Sequence, residues 1–225
     1  MTVRHYKHEI PRLSADQLSQ WQDIGTAEIS DCLERTQAMF GAIGPVRPEM
    51  RVIGQARAVG CMVADNSALH AAVNLAEPGD VLVAAAQGFE DVAVWGGLMT
   101  RAAMARGIAG LIVDGAVRDS DEIAELGFPC FARCAVPRGP HKGFGGSVDA
   151  PVSCGGVSVS SGDLIIGDAD GIAVVPLARV DATLAAVRAL KQREAATIAK
   201  MADGASLADI YGVPNVTIIT PEAQD

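Results

Sequence analysis

Aromatic residues are scarce in this 225-residue chain: Phe, Trp and Tyr together make 4% of it. A core of that composition rests on Ala, Val, Ile and Leu, the small and branched residues of an α/β interior. Long apolar runs are missing too. Residues 81–86 are typical of the longest, far short of the roughly 20 residues that a membrane-spanning helix needs. The N-terminal segment carries charge with no apolar signal core behind it, so a soluble, cytoplasmic protein is expected. Positive charge is in deficit. The 18 Lys and Arg against 27 Asp and Glu leave a net charge of −9, which argues against general nucleic-acid binding, since phosphate contacts need clustered cations. An anionic substrate stays possible, because one arginine or metal reverses the field within a pocket. The five cysteines are scattered, and Cys130 and Cys134 lack a second Cys or His pair, so reduced thiols are expected rather than a zinc site or disulfides. A P-loop, a nucleophile elbow and a dinucleotide fingerprint are all absent, which removes support for the chemistries they serve. No linker or charge block divides the chain, and residues 1–225 read as one domain.

What is present alternates between strand-like and helix-like stretches. Ser14 is an N-cap candidate for a helix running through Leu18 and Trp21, and residues 26–35 predict a second helix. Residues 41–48, with two Gly and two Pro, predict a loop. Then come a strand over 56–63, a helix over 67–75 and a strand over 81–85. A helix over 97–106, ended by Gly107, precedes a strand over 110–113 that breaks at Asp114-Gly115. A short helix over 119–126 and a strand over 128–133 follow. Short β segments fill 148–175, with turns at Gly155-Gly156, Ser161-Gly162-Asp163 and Asp168-Ala169-Asp170-Gly171. Asp168 and Asp170 superficially suggest calcium, but the later ligands of such a loop are missing and a turn is expected. Val180, Leu184, Val187 and Leu190 recur at helical spacing in a long closing helix over 177–201.

Polar residues gather at a few strand ends, where open α/β sheets hold ligands. Arg118-Asp119 follows the most apolar strand. It reads either as an exposed pair at a helix start or as a carboxylate fork beside a hard oxygen ligand for a divalent metal. Gly96-Gly97 opens another helix and can present backbone N–H groups to a carboxylate. Asn66 and His70 stand one helical turn apart, either as a cap and a satisfied histidine or as pocket groups. Lys142, in a Gly- and Pro-rich loop, is either solvated or a clamp for a substrate carboxylate.

Residues 107–119, Gly-Ile-Ala-Gly-Leu-Ile-Val-Asp-Gly-Ala-Val-Arg-Asp, continue into Asp121-Glu122 and Leu126-Gly127-Phe128-Pro129. With Ser153-Cys154-Gly155-Gly156, Ser161-Gly162-Asp163 and Asp168 to Pro176, this pattern resembles the RraA-like family, over about residues 20–212. That family includes the regulator of ribonuclease activity A and the 4-hydroxy-4-methyl-2-oxoglutarate / 4-carboxy-4-hydroxy-2-oxoadipate aldolases. The resemblance implies a three-layer β/β/α fold with a central mixed sheet and a long C-terminal helix. It also implies a homo-oligomer, trimer or hexamer, with active sites between subunits.

By the same resemblance Arg118 binds the carboxylate and keto end of a small 2-oxo acid, and Asp119 holds Mg²⁺ or Mn²⁺. Backbone groups of Gly96, Gly97 and Leu98 contact pyruvate, and Asn66, His70 and Lys142 line the pocket. Glu194 matches the acid that a neighbouring subunit contributes. The implied activity is a class II, metal-dependent pyruvate aldolase that passes through a pyruvate enolate, with oxaloacetate decarboxylation reaching the same enolate. The aldolases commonly carry an acid where this chain has Gly97, so decarboxylation is expected to outweigh aldol cleavage. A non-catalytic regulator binding ribonuclease E, or a lyase for another 2-oxo acid, are the alternatives.

Overall fold

The computed structural model describes residues 1–219. Its centre is a ten-stranded mixed sheet built from repeated strand–helix–strand steps. Strands β3 (Val52–Cys61), β4 (Asp80–Trp95), β5 (Gly110–Val117) and β6 (Cys130–Ala132) run parallel. Helices α3 (Ser67–Leu75), α4 (Gly97–Ala105) and α5 (Ser120–Glu125) connect them in turn. Every residue of β5 is buried, which is why a continuous apolar run, rather than alternation, marks it in the sequence. Leu69, Ala72 and Val73 of α3, Met99 and Ala103 of α4 and Ile123 of α5 enter the same core as the sheet residues Val83, Leu111 and Val113.

The sheet ends carry shorter pieces. Strand β2 (Gly44–Pro45) pairs antiparallel with β6, and β8 (Gly146–Val148) pairs antiparallel with β3. The N-terminal β1 (Val3–His5) adds beside β8, and β7 (Cys134–Ala135) adds to β5. A separate two-stranded sheet, β9 (Val152–Cys154) with β10 (Val157–Val159), packs against β4. The hairpin β11 (Leu164–Asp168) and β12 (Gly171–Val175) joins β3 through β11. It packs under α2 (Thr26–Cys32) and the long α6 (Val180–Ala202), where Trp21, Ile29, Leu33, Leu164, Ile166, Val175, Leu184 and Val187 form a second core. This mixed α/β architecture, with its central sheet and long C-terminal helix, is the one expected. Among the described residues no helix is long and apolar enough to cross a membrane.

Several elements depart from the local signals, each for a tertiary reason. Strand β5 does not break at Asp114-Gly115. The Asp114 carboxylate is absorbed by Arg133 Nε at 2.5 Å and the Gly155 N–H at 3.1 Å, while Gly115 admits a neighbouring strand. A Cβ there would stand 2.9 Å from that of Ala86. Strand β4 runs on well past residue 85. It passes a bulge at Gln87 and Gly88, both left-handed (φ 62° and 67°), and resumes so that Trp95 pairs with Val117. Strand β3 starts at Val52 and ends at Cys61, earlier than expected. Helix α1 (Ala15–Ser19) has the expected Ser14 cap, reciprocated by Gln17, but stops before Trp21. Helix α2 ends at Cys32 because Glu34 and Arg35 turn left-handed. Phe128 lies before β6, stacked on Trp95 at 6.2 Å.

The Asp168 turn is a hairpin turn, as expected. Its carboxylate accepts from the Thr26 N–H at 2.9 Å and the Thr26 hydroxyl at 2.7 Å, capping α2 from outside that helix.

Candidate active site

The bulge in β4 has a consequence at the strand end. Because Trp95 pairs with Val117, the next residues, Gly96-Gly97 and Arg118-Asp119, emerge side by side. The Arg118 N–H donates to the Trp95 carbonyl at 2.9 Å. Thr100 braces the helix start, accepting from the Trp95 indole at 2.8 Å and donating to the Gly96 carbonyl at 3.2 Å. The two glycines are required by what lies against them. A Cβ on Gly96 would come within 2.7 Å of Asp119 Oδ2 and 2.9 Å of Arg118 Cγ.

Asp119 sits in the left-handed region, at φ 57°, as the N-cap of α5. Its Oδ2 accepts from the Gly97 N–H at 3.0 Å and stands 3.6 Å from Arg118 Nε. The Oδ1 atom makes no hydrogen bond among the described residues, and the side chain is half-exposed. The Gly97 amide thus orients Asp119. The N–H of Leu98, in the open first turn of α4, is not tied up in this way. The terminal nitrogens of Arg118 likewise make no hydrogen bond among the described residues. One of them crosses Gly139, where a Cβ would lie 2.9 Å away.

Beside Arg118 lies a cavity of about 110 Å³ lined by Asn66, His70, Trp95, Gly96, Leu98 and Lys142 among others. Seven of the nine residues expected at the site thus line one cavity or, for Gly97, border it. Asn66 is 4% exposed. Its Nδ2 is held by the Val94 carbonyl at 3.1 Å and Met99 Sδ at 3.2 Å, while its buried Oδ1 has no partner. A buried acceptor left open in this way suits a ligand donor or an ordered water. Burial, reinforced by the positive charge of Lys142, lowers the His70 pKa against the opposing pull of Asp65. His70 is thereby biased toward the neutral ring. Asp119 lines a wider adjoining groove of about 410 Å³, with Arg118, Ser120, Asp121, Glu122 and Val136.

Glu194 is not brought to this place within the chain. It lies along α6 near Cys32 of α2.

One residue that the sequence reading passed over stands at the centre of the geometry. The Glu122 carboxylate occupies the space a Gly97 side chain would need, so that a Cβ at 97 would overlap Glu122 Oε2. Arg101, one turn further along α4, holds Glu122 Oε1 through Nε at 2.9 Å. No hydrogen bond to Oε2 is made among the described residues. A carboxylate of α5 thus fills the space beside position 97. Glu122 lies three residues after Asp119, a spacing that puts both on one side of a helix start, and that was the available signal.

The donor set suits Mg²⁺ or Mn²⁺. These ions keep several waters and are commonly held by one or two carboxylates plus substrate oxygens, and the open Oδ1 of Asp119 offers one. Among the described residues no group of three or more His, Cys, Asp or Glu could cage a metal, so a dedicated all-protein site is not built here.

The chain as a whole is similar to several known proteins. The RraA-like family model, described as Aldolase/RraA, matches residues 26–174. A Halalkalibacterium halodurans protein named "Putative 4-hydroxy-4-methyl-2-oxoglutarate aldolase" is 40% identical over 161 residues, 72% of this chain and 77% of that one. An uncharacterized protein from Pseudomonas syringae pv. tomato has a similar structure, with a TM-score of 0.78 at 26% identity, covering 92% of this chain and 98% of that one. Streptomyces coelicolor RraAS2, described as an unusual member of the RNase ES inhibitor RraA protein family, matches with a TM-score of 0.75 at 25% identity. That match covers 84% of this chain and 100% of the other.

Proposed function

The chain belongs to the RraA-like, Aldolase/RraA family, and on that premise we propose that it is a divalent-metal-dependent lyase cleaving a 2-oxo acid to pyruvate through its enolate. The observation that carries this reading is the convergence at one helix start of three groups with different work to do. They are a guanidinium whose terminal nitrogens are open, a carboxylate with one open oxygen, and a second carboxylate seated where Gly97 leaves room.

Arg118 pairs the C1 carboxylate and lies against the C2 keto oxygen, where negative charge collects as the C3–C4 bond breaks. A donor waiting at the place where charge develops stabilises the transition state more than the ground state. The Leu98 N–H adds a neutral donor to the same end. Asp119, turned by the Gly97 amide, would hold Mg²⁺ or Mn²⁺ through its open oxygen. Bound there, the ion would supply Lewis-acid polarisation of the substrate. Glu122 Oε2 takes the C4 hydroxyl proton, directly or through a water, and after the C3–C4 bond breaks returns it by the same route to C3 of the enolate, releasing pyruvate. With that acid in place, aldol cleavage needs nothing further from position 97. The expected bias toward decarboxylation therefore gives way to a lyase competent in both reactions. Asn66, His70 and Lys142 meet the rest of the substrate. Glu194 of an adjoining copy in a trimer or hexamer is assigned to the same pocket.

Pyruvate release from 4-hydroxy-4-methyl-2-oxoglutarate and from oxaloacetate, with Mg²⁺ and with EDTA, tests the proposal. Activity should require the ion and be lost in Asp119→Asn. Glu122→Gln should depress aldol cleavage far more than decarboxylation, which needs no hydroxyl base. Equal loss in both reactions would refute the role given to Glu122. Silence with every 2-oxo acid, together with inhibition of a ribonuclease E, would favour the regulatory activity that the Streptomyces neighbour's description carries.

A further inference from the structure

Resting on that reading of the cavity, we propose that Asp65 is a positioning residue that seats the loop of residues 139–145, so that Lys142 meets the bound 2-oxo acid beside His70. Asp65 is 0% exposed. Its Oδ2 accepts from the Gly143 N–H at 2.7 Å and the Phe144 N–H at 3.0 Å, and its Oδ1 from the Ser67 N–H at 2.8 Å. The first two donors flank Lys142 on its C-terminal side. On the N-terminal side, His141 donates its N–H to the Ala64 carbonyl at 2.8 Å and accepts the Asn66 N–H at 3.1 Å. Lys142 is thus pinned from both directions onto the residues around Asp65.

The pinning matters because the loop has little stiffness of its own. It contains Gly139, Gly143 and Gly145, and the residues around Lys142 form no strand or helix. The third bond of the carboxylate runs to Ser67, the first residue of α3. One buried carboxylate therefore ties the helix carrying Asn66 and His70 to the loop carrying Lys142, fixing the spacing of two walls of the cavity. Burial alone would raise the Asp65 pKa, but the Ser67 side chain and the N–H groups of Gly143, Phe144 and Ser67 outweigh it and hold it at about 2. The anchor is ionised throughout the neutral range. Ala64, just before it, is left-handed at φ 57°, a conformation that non-glycine residues adopt only where surrounding structure imposes it.

The test is a double-mutant cycle in the full chain with Mg²⁺, using Asp65→Asn, Lys142→Met and the pair, with oxaloacetate as substrate. Asp65→Asn supplies one acceptor oxygen where the carboxylate supplies two and sets its NH2 against either Ser67 or the loop N–H groups, which should raise KM about tenfold, with kcat changed much less. On the Lys142→Met background the same change should add less than about twofold. Asp65→Ser, whose shorter side chain cannot reach both loop N–H groups, should reproduce the KM effect if Asp65→Asn folds poorly. Amide hydrogen exchange at Gly143 and Phe144, slow in the wild type, should accelerate in Asp65→Asn. A KM penalty of the same size with and without Lys142, or amides that exchange equally fast in both proteins, overturns the proposal. Wild-type protein that neither turns over oxaloacetate nor binds pyruvate overturns the functional reading and the ligand contact of Lys142. Amide exchange would then still decide whether Asp65 seats the loop.

Discussion

Replacing Gly97 with alanine should separate stability from activity, because the added methyl falls on the Glu122 carboxylate rather than on backbone. Glu122 is the far end of a flexible side chain and can swing away, giving up its pair with Arg101. Both partners are substantially exposed, and such pairs contribute roughly 0–1 kcal/mol. Alanine is a better helix former than glycine by roughly 0.5–1 kcal/mol, which offsets that loss at the first residue of α4. The net change in stability should lie within about 1 kcal/mol. Displacing the proposed proton acceptor is a different matter. General-base catalysis contributes about 10²–10⁴-fold, or about 3–5 kcal/mol of barrier. Thermal unfolding should therefore be nearly unchanged, while aldol cleavage, followed as pyruvate release, falls by about a hundredfold or more. Gly97→Asp should behave likewise, since a second carboxylate would compete for occupied space instead of restoring a missing one. Wild-type turnover in Gly97→Ala, or enhanced aldol cleavage in Gly97→Asp, would show that Glu122 does not serve from that position.

His70 should titrate below its usual value of about 6.5 in the folded protein, as an NMR titration of the ring would record. Lys142→Met, which removes a nearby positive charge, should move it upward, and no movement would place Lys142 away from the ring. Because the folded state then binds fewer protons than the unfolded chain, this group makes stability fall as pH drops through the window below about 6.5. Among the thiols, burial pushes Cys61, Cys130 and Cys154 up to about 12. Alkylation of native protein at neutral pH should therefore reach only Cys32 and Cys134, which are partly exposed, and the other three only after unfolding. Early labelling of Cys130 would contradict the packing around β6.

Much of the fold was legible because its signals are local. The helix over 67–75 has the bounds expected, and the Ser14 cap and the Asp168 turn followed from their side-chain chemistry. Local signals misled at β5, where Asp114-Gly115 has the composition of a turn but lies mid-strand. Arg133 and Gly155, distant in sequence, neutralise the aspartate, and Ala86 of the neighbouring strand presses on the glycine. The end of β4 was illegible for a related reason, since its bulge is set by pairing with β5.

The site divides in the same way. The chemical identities of Arg118 and Asp119, the glycine pair, Asn66, His70 and Lys142 were all readable, since side-chain type and strand-end position are written along the chain. Their convergence was not, because it depends on α3, α4, β5 and the 139–145 loop meeting around one cavity. Sequence alone determined which functional groups the protein carries and the family pattern they follow. Tertiary structure decided where charge and volume fall. It committed the Gly97 amide to Asp119, buried Asp65 beneath the Lys142 loop, and set the Glu122 carboxylate in the space that glycine leaves open. Such placements depend on distances between segments, and no local stretch of sequence encodes them.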